Sequence, residues 1–278
     1  MPSTYSPLRY PGGKTKLYTT IKPLISCISQ KEMLYVEPFA GGAGLALKLL
    51  MCGDVSSLFL NDIDENIFLF WEACLNETDQ LCQLIQNAEL SINEWKRQKE
   101  ILEDEKKHTD LERAFALLFL NRCNRSGIIS GGPIGGKLQT GKYRIDARFN
   151  KEGLIKKIID IGKRKDNIRL YCMDGKDFIV KVCSLLPDDK VFINIDPPYV
   201  NKGPELYKNA FTERDHIVLS EVIKGLTQKW VVTYDSDPLV YSLYKEYPIK
   251  EITLGYSAGS TRKKGNEYLI TNMQTKGV

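Results

Sequence analysis

The sequence predicts an α/β fold, an open sheet whose strands alternate with helices, interrupted by a mainly helical insertion. Three features carry that expectation. Short, mostly apolar runs recur at 33–36, 57–60, 168–172, 191–195 and 230–234; the run at 191–195 lacks in-and-out alternation, the pattern of a strand covered on both faces. Residues 33–62 read as strand, glycine-rich turn, helix and strand in succession. From about 65 to 120, apolar residues instead recur every three or four positions, with no strand between them.

Taken in order, Pro7-Leu8-Arg9-Tyr10-Pro11-Gly12-Gly13-Lys14 is a glycine-bearing loop before a helical stretch at 16–28, where Leu17, Ile21, Leu24 and Ile25 share a face. Gly-Gly-Lys ahead of a helix lets backbone amides and an ammonium approach an anionic group, although the spacing is not that of a Walker A loop. The turn after the first strand is Glu37-Pro38-Phe39-Ala40-Gly41-Gly42-Ala43-Gly44, followed by a helix at 45–51 and a strand ending in Asn61-Asp62. Glycines that admit a ligand, with an acid 18 positions after Gly44 to take ribose hydroxyls, suit an adenosine moiety. Leu47 stands where a dinucleotide site would want a third glycine, which favours a different nucleoside cofactor.

The insertion divides by charge. Residues 65–112 hold 12 Asp/Glu against 5 Lys/Arg, and residues 113–170 hold 14 Lys/Arg against 4 Asp/Glu. The second half looks like a surface for a polyanion. It contains a stretch opening at Asn121-Arg122-Cys123-Asn124-Arg125, crowded with glycine, and carrying Lys137, Lys142 and Arg144. A glycine-rich hairpin or loop bearing Arg and Asn suits base edges, because Arg pairs with guanine and Asn with adenine bidentately.

The alternating pattern then resumes with a helix at 154–161, a strand at 168–172 with Asp174 just past it, and a helix at 177–186. The strand at 191–195 stops at Asp196-Pro197-Pro198-Tyr199. Pro197 lacks an amide proton and cannot continue a central ladder, so a carboxylate, free carbonyls and an aromatic ring are held at the strand's carboxyl end, where open α/β sheets collect their ligands. A helix at 212–226 with Thr212 as N-cap, a strand at 230–234 and a closing hairpin from 249–254 and 267–271 complete the chain.

Composition narrows the function classes. Seven cysteines without a C-x-x-C pair read as reduced thiols, and with only His108 and His216 present no metal site is expected. No apolar run approaches a bilayer span, and residues 1–7 lack the basic and apolar regions of a signal peptide, so an intracellular protein with no membrane partner is expected.

In their order, LRYPGGK (8–14), VEPFAGGAG (36–44), LND (60–62) and IDPPY (195–199) resemble the Dam-like, alpha-class DNA N6-adenine methyltransferases of bacteria and phage. The resemblance implies a Rossmann-like class I methyltransferase sheet in a catalytic domain of 1–64 and 166–278, with a target-recognition domain at 65–165. It implies S-adenosylmethionine as cofactor, double-stranded DNA as partner and a monomer. Tyr10 and Lys14 would hold the methionine end of the cofactor, and Glu37, Pro38, Phe39, Gly41, Gly42 and Gly44 would form the turn against it. Asp62 would take the ribose hydroxyls, Asp174 would approach the adenine with Asp177 as competitor, and Asp196 would face the methyl donor. Gly175 stands where the family commonly has an aromatic.

Arg122, Asn124 and Arg125, with Lys137, Lys142 and Arg144, are the expected DNA contacts. SGIISGGPIGGK (126–137) replaces the Asn-Gly hairpin of GATC readers, so the resemblance does not carry GATC specificity. Asp196 and the Pro197 carbonyl would accept the two N–H bonds of an adenine amine, Pro198 would help hold these acceptors, and Tyr199 would stack the base. An N4-cytosine methyltransferase and a noncatalytic DNA-binding protein of the same fold are the alternatives.

Overall fold

A computed structural model describes residues 4–9, 14–28, 32–201, 211–258 and 261–274. Two compact units emerge, one of 14–63 with 171–278, the other of 1–13 with 64–170. The α/β expectation is met by a seven-stranded sheet: β1 (Leu34–Glu37), β2 (Ser57–Asn61), β3 (Ile168–Tyr171), β4 (Val191–Ile195), β5 (Lys229–Asp235), β6 (Ile249–Ala258) and β7 (Thr261–Thr271). Their order in the sheet is β3-β2-β1-β4-β5-β7-β6.

β1 runs parallel to β2 and β4, and β4 parallel to β5, whereas β7 is antiparallel to both β5 and β6. Chain order reverses between β1 and β4, which makes that pair the topological switch point, where a doubly wound sheet opens its crevice. The expected closing hairpin is β6 and β7, longer than the apolar patterning indicates. All five residues of β4 are buried, and Tyr35 stacks on Phe192 across the β1–β4 pair with centroids 6.1 Å apart.

In the sheet unit, α1 (Tyr18–Ser26) follows a 3-10 turn at Lys14–Leu17, and α2 (Gly44–Met51) follows the glycine turn. The four-helix array of the other unit is α3 (Glu65–Asn76), α4 (Thr78–Asn87), α5 (Ile92–Glu103) and α6 (Asp110–Cys123). α6 starts at a capping box, Thr109 with Glu112, and buries Arg113 through Asn121 without a break. A helix apolar on every face belongs in the centre of its unit. Arg113 is held there by Glu65 at 2.6 Å and Glu105 at 3.2 Å, which compensate its charge.

α7 (Lys151–Gly162) completes this unit. In the sheet unit, α8 (Gly175–Lys181), α9 (Glu213–Lys224) and α10 (Pro238–Tyr244) follow. Thr212 caps α9 in a capping box with Asp215, as its N-cap position predicts. The short α10 carries no periodic signal strong enough to read beforehand. Residues 4–9 belong to the insertion unit: Arg9 N donates to Asn121 Oδ1 at 2.7 Å and Lys157 Nζ to the Ser6 carbonyl at 2.9 Å. The compact units divide near residues 13, 63 and 170.

Candidate active site

The carboxyl ends of β1, β2 and β4 carry or lead into acids and amides, among them Glu37, Asn61, Asp62 and Asp196. Asn61, 1 % exposed, donates through Nδ2 to the carbonyls of Pro38 at 2.9 Å and Met173 at 3.0 Å, and its Oδ1 accepts from Met173 N at 3.1 Å. One amide thus pins the glycine turn after β1 and the segment after β3 to the end of β2. In the sequence Asn61 stands out only as the middle of the LND block, because an amide beside an acid at a strand end looks like ordinary turn chemistry.

Asp62 Oδ2 accepts from Gly41 N at 2.8 Å and closes the glycine turn. Ala43 adopts a left-handed φ of 44°, which a residue with a Cβ rarely tolerates and which marks stored strain at the turn. A methyl group on Gly44 would come within 2.6 Å of Thr15 Oγ1, so this glycine answers a close approach. Asp174 caps α8, its Oδ1 accepting from Lys176 N at 3.0 Å and Asp177 N at 3.1 Å, while Asp177 pairs with Lys181 at 2.9 Å along the helix.

A side chain at Gly175 would collide with the ring of Phe39. The Phe39 ring packs edge-on to Phe211 at 6.1 Å. Glu37 points its side chain into the sheet. Its Oε1 accepts from Tyr35 OH at 2.9 Å and lies 3.5 Å from Asn194 Nδ2. Burial pushes the Glu37 carboxyl up to about 8, against the pull of these donors.

At the end of β4, Asp196 Oδ1 accepts from the Thr233 hydroxyl of β5 at 2.7 Å and lies 3.1 Å from Lys14 Nζ. The same ammonium donates to Tyr199 OH at 2.6 Å and sits 3.5 Å from Glu267 Oε2. Lys14 is therefore engaged with the Asp-Pro-Pro-Tyr segment itself. Tyr199 is 8 % exposed, with its ring beside Tyr234, and the chain after it is anchored where Asp235 accepts from Val200 N at 3.1 Å and Asn201 N at 2.9 Å. Pro197 is buried and Pro198 half-buried. Thr233, Asp235 and Glu267 were missed in the sequence; their only signal is polarity inside strands that should be apolar. Tyr10 lies outside the described residues.

In the insertion unit the six expected DNA contacts separate. Asn124 is fully buried: its Oδ1 accepts from Trp95 Nε1 at 2.7 Å and its Nδ2 donates to the carbonyls of Ile128 and Ile129, each at 2.9 Å. Arg122 donates through Nε to the Arg148 carbonyl at 2.6 Å, and burial lowers its pKa to about 10. The Asn124 amide is thus engaged by one indole N–H and two carbonyls, and Arg122 Nε by one carbonyl. Arg125, Lys137, Lys142 and Arg144 are exposed, and the first three line a groove of about 490 Å³ with Tyr143 and the 86 % exposed Leu138. The glycine-rich segment is a loop with one bridge, Asn124 to Pro133; no hairpin is found among its described residues.

The chain was compared with known proteins. Its residues 10–257 match the model of a family described as D12 class N6 adenine-specific DNA methyltransferase. It is 24 % identical over 292 residues to the Type II methyltransferase M.MjaIII of Methanocaldococcus jannaschii, covering 95 % of this chain and 98 % of that protein. Among solved structures it is similar to the rRNA methyltransferase aviRa from Streptomyces viridochromogenes, at a TM-score of 0.40 and 13 % identity over 94 % of this chain and 86 % of that one. It is likewise similar to M. capricolum TrmK in complex with S-adenosyl-homocysteine, at a TM-score of 0.37 and 9 % identity over 90 % and 66 % of the two chains. The family match spans both the glycine turn and the Asp-Pro-Pro-Tyr segment, and the chain belongs to the D12 class N6 adenine-specific DNA methyltransferases.

Proposed function

We propose that this enzyme transfers a methyl group from S-adenosylmethionine to N6 of an adenine flipped out of double-stranded DNA, with the Dam-like arrangement of motifs and as the modification half of a restriction-modification pair. The observation that carries the reading is Asp196 at the switch point, with Oδ1 held by Thr233 and Lys14. An adenine amine is a weak nucleophile because its lone pair is delocalised into the ring. Asp196 Oδ2 accepts one N–H and the Pro197 carbonyl the other, which localises the lone pair on N6, out of conjugation with the ring, and aims it. The extra proton that N6 carries after transfer leaves toward Asp196 Oδ2, the nearest acceptor. Base extrusion is required, since the amine is unreachable in a duplex.

The residues present fit the cofactor. The turn with Phe39, Gly41, Gly42 and Gly44 offers backbone surface, and acids stand beyond the ends of β2, β3 and β4: Asp62 for ribose hydroxyls, Asp174 for the adenine, and Asp196 for the cationic sulfur. When bound, S-adenosylmethionine supplies an electrophilic methyl group. Lys14 orients Asp196 and Tyr199 in this reading, in place of the cofactor contact expected from the motif. Arg125, Lys137, Lys142 and Arg144 supply the phosphate and base contacts.

Incubation with duplex DNA and tritiated S-adenosylmethionine, followed by nucleoside analysis, should give N6-methyladenine. Label in N4-methylcytosine overturns the choice of base. Asp196→Ala should abolish transfer and leave DNA affinity within about tenfold, because the residue acts on the amine and not on the phosphates. Undiminished turnover by this variant would refute the assignment.

A further inference from the structure

Glu267 lies on β7, paired in register with Asp235 of β5. Because β7 runs antiparallel to β5, the residue that begins the β5-paired part of β7 reaches the edge where the parallel strands end. The closing hairpin thereby contributes to the site a carboxylate that is wholly excluded from solvent. Its carboxylate faces the Tyr199 hydroxyl and Lys14, whose Nζ lies 3.5 Å from Oε2. Burial raises its pKa, the Lys14 charge works against that, and the Asp196 charge adds to it.

A fully buried carboxylate paired to a lysine is a poor device for stability, since an apolar replacement often does as well or better. Its geometry fits another task. An ammonium on a four-carbon stem is a mobile point charge. Here it must hold 2.6 Å from Tyr199 OH and 3.1 Å from Asp196 Oδ1 at once. We propose that Glu267 is a positioning residue for methyl transfer: its buried charge fixes the Lys14 ammonium in the one place from which it aligns both Asp196 and Tyr199. This rests on the reading of Asp196 given above.

The test uses the full chain with duplex DNA and tritiated S-adenosylmethionine, measuring kcat, cofactor affinity and Tm for E267Q, E267D, K14M, the double variant K14M/E267Q, and D196N. E267Q should lower kcat by about tenfold or more while cofactor affinity stays within about threefold and Tm does not fall, a split that a structural role would not produce. E267D, which keeps the charge on a shorter stem, should recover part of the rate. The double variant should be no slower than K14M within about twofold, because Glu267 acts through that lysine.

An E267Q rate within about twofold of the parent, or losses that multiply in the double variant, overturns the proposal. If E267Q does not fold, E267D decides: an undiminished kcat overturns the proposal and a reduced one at unchanged Tm supports it. D196N separates the two claims. Normal turnover by D196N removes the assignment of Asp196, whereas an inactive D196N beside an undiminished E267Q removes only the role of Glu267.

Discussion

Thr233→Val deletes one hydroxyl from the site and keeps the shape of a buried, β-branched strand residue. The lost contact is the 2.7 Å hydrogen bond to Asp196 Oδ1, a neutral donor on a carboxylate. Hydrogen bonds to charged groups contribute about 1.5–3 kcal/mol, which is about 10- to 150-fold in rate if all of it serves alignment. Lys14 remains 3.1 Å from the same oxygen. The expectation is therefore at the lower end, about 10- to 30-fold.

The assay is a single turnover with enzyme in excess over a methylatable duplex, because slow product release would conceal a change in the chemical step. Cofactor affinity should stay within about threefold, since the hydroxyl faces the acceptor and not the glycine turn. Thr233→Ser restores the donor and should recover most of the rate. A Thr233→Val turnover within about twofold of the parent, or a Ser variant as slow as the Val one, would show that Asp196 needs no help from β5.

Glu37 makes stability depend on pH. Its carboxyl is raised from an ordinary 4.5 to about 8, so across that interval the folded chain holds a proton that the unfolded chain has released. The contribution is full below about pH 4.5 and is lost as pH rises through about 8, a fall on the order of a few kcal/mol. Glu37→Gln should flatten the decline in Tm between pH 5 and pH 8; parallel curves for the two proteins would exclude a buried proton there. In the insertion unit, Asn124→Ala should cost about 2–4 kcal/mol in denaturant unfolding, because it strands the Trp95 indole N–H and two carbonyls. Lys137→Ala and Lys142→Ala should leave the unfolding midpoint alone and each lower the salt slope of DNA binding by about 0.9; an unchanged slope would take those lysines off the phosphates.

Local order reveals a good deal of this protein. The strand at 191–195 and its stop at Pro197, the glycine turn at 37–44, the acid at 62 and the basic half of the insertion are all consequences of near neighbours: ring-fixed φ, missing side chains, uniform apolarity, like charges in a run. The order of the blocks then points to the family. Tertiary structure decided which polar side chains are free to act. Asn124 and Arg125 are adjacent and equally polar on paper, yet one is fully buried and bonded to backbone while the other is exposed. That choice follows from which buried carbonyls and N–H groups would otherwise go unpaired, a matter of packing and not of composition. Thr233 and Asp196 are 37 residues apart, and Lys14 and Tyr199 are 185 apart. Only the parallel β4–β5 pairing and the antiparallel return of β7 bring Thr233 and Glu267 to the edge where the tetrapeptide ends, because strand direction decides which end of each strand meets the crevice.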